Sequence, residues 1–121
     1  MEAQATFEAL NGILKPYGKY FSVKQDDAEQ YYLEAAGHGQ DYPDPLFFGA
    51  AQIKKRYVSF HLMPVYVNPE LLSGISNALK KRMQGKSCFN FKKPEGALLQ
   101  ELSTLTARAF EDYQKRGVVA L

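Results

Sequence analysis

Two side chains in this sequence could act as nucleophile and base. Cys88 is the only cysteine, and His61 is one of two histidines. A cysteine attacks as its thiolate, so it needs a neighbouring base or cation. If the strands carrying them are neighbours, His61 could be that base, and Lys86 would favour the thiolate. The competing reading is that Cys88 is a small apolar filler, the usual fate of a free cysteine. Around this pair stand Gln52, Ser59 and Asn90, whose alternation with apolar residues places them with His61 on one side of a sheet. With Lys86, and with Tyr57 and Tyr66 at the rim, they form a candidate small-ligand site of a few polar groups on an aromatic floor. A dimer interface or a loop-covered second core would use the same face.

A second group is acidic. Asp26, Asp27 and Glu29 cluster in one turn, and Asp41 and Asp44 lie in a loop. Oxygen ligands of this kind suit a hard or borderline metal, although they also suit a solvated turn. The two histidines, His38 and His61, have no zinc-ligand spacing between them and Cys88. His38 sits in a Gly-His-Gly loop.

A third group is basic. Residues 80–93, KKRMQGKSCFNFKK, hold six bases and no acid. Gly85-Lys86-Ser87 invites a phosphate-loop reading, but that motif runs strand, glycine-rich loop, helix. Here the order is helix, GKS, strand, and phosphate would meet the negative end of a helix dipole. A single-stranded nucleic-acid platform built on Phe89 and Phe91 is disfavoured. Those rings are expected to plug the core, and no RNA-recognition motif is present.

The elements that must position these groups follow from periodicity. Residues 3–15 read as a helix with Phe7, Leu10 and Ile13/Leu14 on one stripe, ended by Pro16 and Gly18. Strands are expected at Tyr20–Lys24 and Gln30–Ala35 around a turn at Gln25–Ala28, followed by a Gly/Pro loop over Ala36–Pro45. Residues 46–67 read as a hairpin. With Lys55-Arg56 as its turn, Gly49 to Ile53 pair with Leu62 to Val58. Gly49, Ala51, Ile53, Val58, Phe60 and Leu62 then share an apolar face, and Ala50, Gln52, Ser59 and His61 share the other. Gly49 and Ala51 would let a helix approach closely.

Asn68-Pro69-Glu70 has the composition of a helix start. Its stripe runs Leu71, Leu72, Ile75, Leu79, Met83, with a break at Gly74–Ser76 where Ser76 would cap the second part. Lys80–Arg82 and Gly85 suit its C-terminal end. Residues 88–92 read as a strand with Phe89 and Phe91 inward and Cys88 and Asn90 outward. Pro94–Arg116 reads as a long amphipathic helix closed by Gly117. The order α-β-β-β-β-α-β-α predicts an α+β fold: a two-layer sandwich with a mostly antiparallel sheet of about five strands and the terminal helices on one face.

Composition bounds the rest. The 121 residues are 45% hydrophobic and 23% charged, which suits one globular domain over 1–121. One cysteine excludes an internal disulfide and points to a reducing, cytoplasmic compartment. No stretch has the length of a membrane span, and MEAQATFEALNG lacks the features of a signal peptide. The net charge of +2 conceals an asymmetry. Residues 1–45 hold eight acids and three bases; residues 46–121 hold five acids and twelve bases.

PLFFGA at 45–50, QIKK at 52–55, HLMPVY at 61–66 and KKRMQGKSCFNF at 80–91 resemble the YdhG-like family, small intracellular bacterial domains largely of unknown function. The resemblance runs from about Leu14 to Tyr113, with KPYGKYFSV and QYYLEAA as looser matches. It implies an α+β fold. Some members of the wider family are described as frataxin-like iron chaperones, so the resemblance also makes iron a candidate cargo. Frataxin-like proteins hold iron on an acidic ridge of the first helix and first strand edge. Here the first helix offers only Glu2 and Glu8, six residues apart. The resemblance supplies no catalytic residues. The expectation is a binding domain for iron or a small ligand, with a cysteine-dependent enzyme or a ligand-free dimerisation domain using the exposed sheet face as alternatives.

Overall fold

The computed structural model describes residues 2–35 and 46–118. It shows an α+β fold built on a six-stranded antiparallel sheet of order β1-β2-β3-β4-β6-β5, not closed into a barrel. The strands are β1 (Ser22–Asp26), β2 (Gln30–Ala35), β3 (Leu46–Ile53), β4 (Val58–Leu62), β5 (Met83–Gln84) and β6 (Cys88–Phe91). The helices are α1 (Ala3–Leu14), α2 (Met63–Val67), α3 (Asn77–Lys80) and α4 (Gly96–Lys115), with 3₁₀ turns at Lys15–Tyr20 and Pro69–Leu72.

The β3–β4 hairpin has the expected register: Gly49 faces Leu62, Ala51 faces Phe60 and Ile53 faces Val58. Lys54 N–H donates to the Tyr57 carbonyl at 2.8 Å, so Lys55-Arg56 is the turn. Neither turn residue has positive φ, which the usual two-residue hairpin turns require. Register here rests on the two faces, since a one-residue slip would send Phe60 outward and His61 into the core.

Phe48, Val58, Phe60, Leu62, Phe89 and Phe91 are fully buried in one core with Leu10 and Leu14 of α1 and Leu102, Ala109 and Tyr113 of α4. Gly49 explains how closely α1 approaches. A Cβ at that position would lie 3.0 Å from the His61 carbonyl oxygen and 3.0 Å from Leu14 Cδ2. The C-terminal stop of α4 is also as expected. Gly117 has φ +75°, and Val118 N–H reaches back to the Tyr113 carbonyl at 2.9 Å.

Elsewhere the structure corrects the expectations. The sheet has six strands rather than about five. Strand β4 ends at Leu62, and Met63–Val67, expected as strand, is helix α2. Pro64 supplies the reason: it has no N–H for a ladder, and it lies in the first turn of α2, where none is needed. The helix expected from Asn68 is a 3₁₀ turn, a break at Gly74 (φ +87°) and then α3. Ser76 caps α3 as expected, its Oγ accepting from Leu79 N–H at 3.1 Å. Asn68 does not cap; its amide donates to Asp112 Oδ1 of α4 at 3.0 Å.

Met83, expected on the helical stripe, is in β5 instead. Gly85, expected as a helix cap, has φ +76° in the corner between β5 and β6. The first hairpin also moves. The chain after α1 tightens into the 3₁₀ turn with Pro16 at its start, so β1 begins at Ser22 and the turn falls at 27–29. The loop expected over 36–45, with His38, Asp41 and Asp44, lies outside the described residues.

Candidate functional site

The register of four strands assembles the polar face. Gln30, Gln52, Ser59 and Asn90 are successive cross-strand partners on β2, β3, β4 and β6. Beside them runs the row Tyr32, Ala50, His61, Cys88 and Gln84, from β2 to β5. The structure therefore brings Gln52, Ser59, His61, Cys88 and Asn90 onto one face, opposite the side on which Leu14 of α1 meets Gly49. The Lys86 ammonium lies 5.8 Å from the ring centroid of Tyr66, an exposed tyrosine.

A chain of hydrogen bonds links these groups. His61 Nε2 lies 3.6 Å from Cys88 Sγ. The Cys88 thiol donates to Asn90 Oδ1 at 3.4 Å, and Asn90 Nδ2 donates to Gln84 Oε1 at 2.7 Å. A thiol has one proton. If it goes to Asn90, His61 must offer its own Nε2–H to the sulfur. That direction is the reverse of what a general base needs.

Burial keeps both partners neutral. Desolvation pushes the Cys88 thiol above its ordinary range, against a smaller pull from the Lys54 ammonium. Desolvation pushes the His61 imidazole below its ordinary range, and Lys54 pushes the same way. The cation expected beside the thiol was Lys86; the one that acts on it is Lys54.

Ser59 is the most enclosed member of the face. It is 1% exposed, and its Oγ has no hydrogen-bond partner. Among the described residues, the other buried side-chain atom without a partner is Asn11 Oδ1, on α1. A buried, unpaired hydroxyl costs about 1–3 kcal/mol.

Several members of this face were not read from the sequence. Tyr32 and Phe47 stack with ring centroids 4.7 Å apart, and Phe47 lies 6.2 Å from the His61 ring. Alternation along QYYLEA could have placed Tyr32. Phe47 depends on a bulge, because Leu33 pairs with Gly49 while Glu34 pairs with Phe47. The extra residue turns Phe48 into the core and Phe47 to the opposite face. Tyr113 of α4 holds this place by donating to the Phe47 carbonyl at 2.7 Å.

Among the described residues, no three His, Cys, Asp or Glu side chains gather to hold an ion. Asp26, Asp27 and Glu29 are adjacent in sequence, but Asp27 is committed to the turn itself. Its Oδ1 accepts from the N–H groups of Glu29 and Gln30 at 2.9 Å, and its Oδ2 accepts from Gln25 at 2.8 Å. These bonds hold its carboxyl below the usual range. Phe89 and Phe91 are fully buried, so neither can stack on a base. No helix among the described residues is long and apolar enough to cross a membrane.

Comparison with protein-family models, with curated proteins and with solved structures finds no match to this chain.

Proposed function

We propose that this chain is a non-enzymatic binding domain that takes a small, uncharged, hydrogen-bonding ligand on the face formed by Gln52, Ser59, His61 and Asn90. The observation that carries this reading is the Ser59 hydroxyl, buried and without a partner. A ligand that satisfied it would recover a penalty that the free protein bears. The neutral state of His61 and Cys88 fits the same class, since neither offers a charge to an ionic ligand. The finer architecture we infer is a two-layer sandwich that leaves this face for binding, in the reducing interior of a cell where one free thiol is stable. Iron is not the cargo this reading favours, because Asp27 is already used by its turn.

A screen of neutral amide and alcohol fragments by amide-resolved NMR tests it. Shifts clustered on Gln52, Ser59, His61 and Asn90, and weakened in Ser59→Ala, are the expected result. Fragments that shift nothing on this face would sink it. So would sedimentation showing a dimer that buries the same residues.

The second reading, a cysteine-dependent enzyme, draws on the 3.6 Å approach of Cys88 to His61. Iodoacetamide labelling across pH separates the two readings. The binding reading expects Cys88 to alkylate appreciably only above the ordinary thiol range. A reactive thiolate at neutral pH, lost in His61→Gln, would favour the enzyme.

A further inference from the structure

Where the polar face meets the β5 edge of the sheet, a cleft of about 730 Å³ opens, within the size range of small-molecule sites. It is lined by Tyr57, Met83, Gln84 and Asn90 from the strands and by Lys81, Arg82, Lys92, Lys93 and Glu95 around them. Arg82 and Glu95 cancel each other. The guanidinium donates twice to the carboxylate, at 2.7 and 2.6 Å, and holds that carboxyl below its usual range. Three exposed ammonium groups, Lys81, Lys92 and Lys93, make no ion pair within 4.0 Å among the described residues, although Lys93 also helps to hold the Glu95 carboxyl down.

The rest of the lining is not that of a simple anion patch. Tyr57 is half-buried, so the lining includes one aromatic ring. The Gln84 and Asn90 amides are bonded to each other, which fixes their orientation and leaves the Gln84 N–H groups to donate. Amide side chains of this kind read the edge of an adenine ring.

We propose that this cleft binds a nucleoside polyphosphate, with one base against Tyr57 beside the Gln84 amide and its phosphates among Lys81, Lys92 and Lys93. The cleft has one aromatic ring in its lining, which serves one base, and Phe89 and Phe91 cannot extend the stack because they are buried. The occupant is therefore a mononucleotide rather than a strand. The cleft shares Asn90 with the Ser59 face, but the proposed phosphate contacts, Lys81, Lys92 and Lys93, lie outside that face and need no ligand at Ser59.

Calorimetric titration of the full chain with ATP, adenosine, inorganic triphosphate and a short single-stranded oligonucleotide, at low and moderate salt, tests the proposal. ATP is expected to bind saturably, with adenosine and triphosphate each at least roughly tenfold weaker, and more weakly at the higher salt. Lys92→Gln combined with Lys93→Gln should weaken ATP by roughly tenfold or more, and Tyr57→Ala should weaken it too. Lys24→Gln, at the opposite edge, should leave it unchanged. Thermal melts check that the variants fold. If the double variant does not, Lys81→Gln, an exposed single change, replaces it. Absence of saturable ATP binding overturns the proposal, as does triphosphate binding as tightly as ATP or an oligonucleotide binding more tightly than ATP.

Discussion

Alternate residues of the same two strands enter very different surroundings. Val58, Phe60, Phe89 and Phe91 have no exposed surface and pack against α1 and α4. Of their immediate neighbours in sequence, His61, Cys88 and Asn90 are linked by thiol, imidazole and amide contacts, and Ser59 stands beside them unpaired. The first set stabilises through area removed from water, about 1.5–3 kcal/mol for each large side chain. The second gains little from burial and retains a hydroxyl with no partner. The outer face therefore contributes less to stability than the inner one.

That contrast can be broken by substitution. The largest effect is expected at Phe60→Ala, which should lose about 3–5 kcal/mol in urea denaturation. A loss under about 1 kcal/mol would mean that the inner face is not the stabilising one. Gly49→Ala comes next, with a loss of about 1–3 kcal/mol, because its methyl would press on the His61 carbonyl and Leu14. In a double-mutant cycle, Gly49→Ala should cost less in a Leu14→Ala background than in the native chain if the collision with α1 is the cause.

Ser59→Ala should have the opposite sign and stabilise the free protein by about 1 kcal/mol. A loss instead would show that the hydroxyl has a partner in solution and would remove the contrast between faces. The smallest effect is pH dependence. The folded chain disfavours protonated His61, whereas the unfolded chain accepts a proton in the ordinary imidazole range. Its contribution to stability is thus present above about pH 6.5 and is lost as pH falls through that range. Comparing urea midpoints at pH 7.5 and 5.5 for the native chain and His61→Gln isolates the term. An identical drop in both would assign it to other groups.

How much of this was legible varies with the range of the interaction. The pairing of Gly49–Ile53 with Val58–Leu62 could be read from alternation alone, and with it the company of Gln52, Ser59 and His61. Phe89 inward and Cys88 outward followed from the same rule. The helical fate of Met63–Val67 was obscured by its β-rich composition, although Pro64 was the available sign. The strand Met83–Gln84 is too short for any period to reveal. Phe47 and Phe48 exchanged faces through a bulge that depends on β2 and is held by a tyrosine 66 residues away. Adjacency in sequence also did not reveal that Asp27 accepts from the backbone N–H groups of Glu29 and Gln30.

By itself, then, the sequence determined the features that are properties of a short stretch of chain: the two-faced hairpin, the cap at Ser76, the stop at Gly117 and the glycine under α1. Each follows from side-chain alternation, a local hydrogen bond or a backbone angle. Only the tertiary structure decided the state of the chemistry. The protonation of Cys88 and His61 depends on desolvation and on Lys54, and the cleft depends on β5 closing the sheet edge beside Lys92 and Lys93. Desolvation and long-range approach arise from packing between segments far apart in the chain, which no local pattern records.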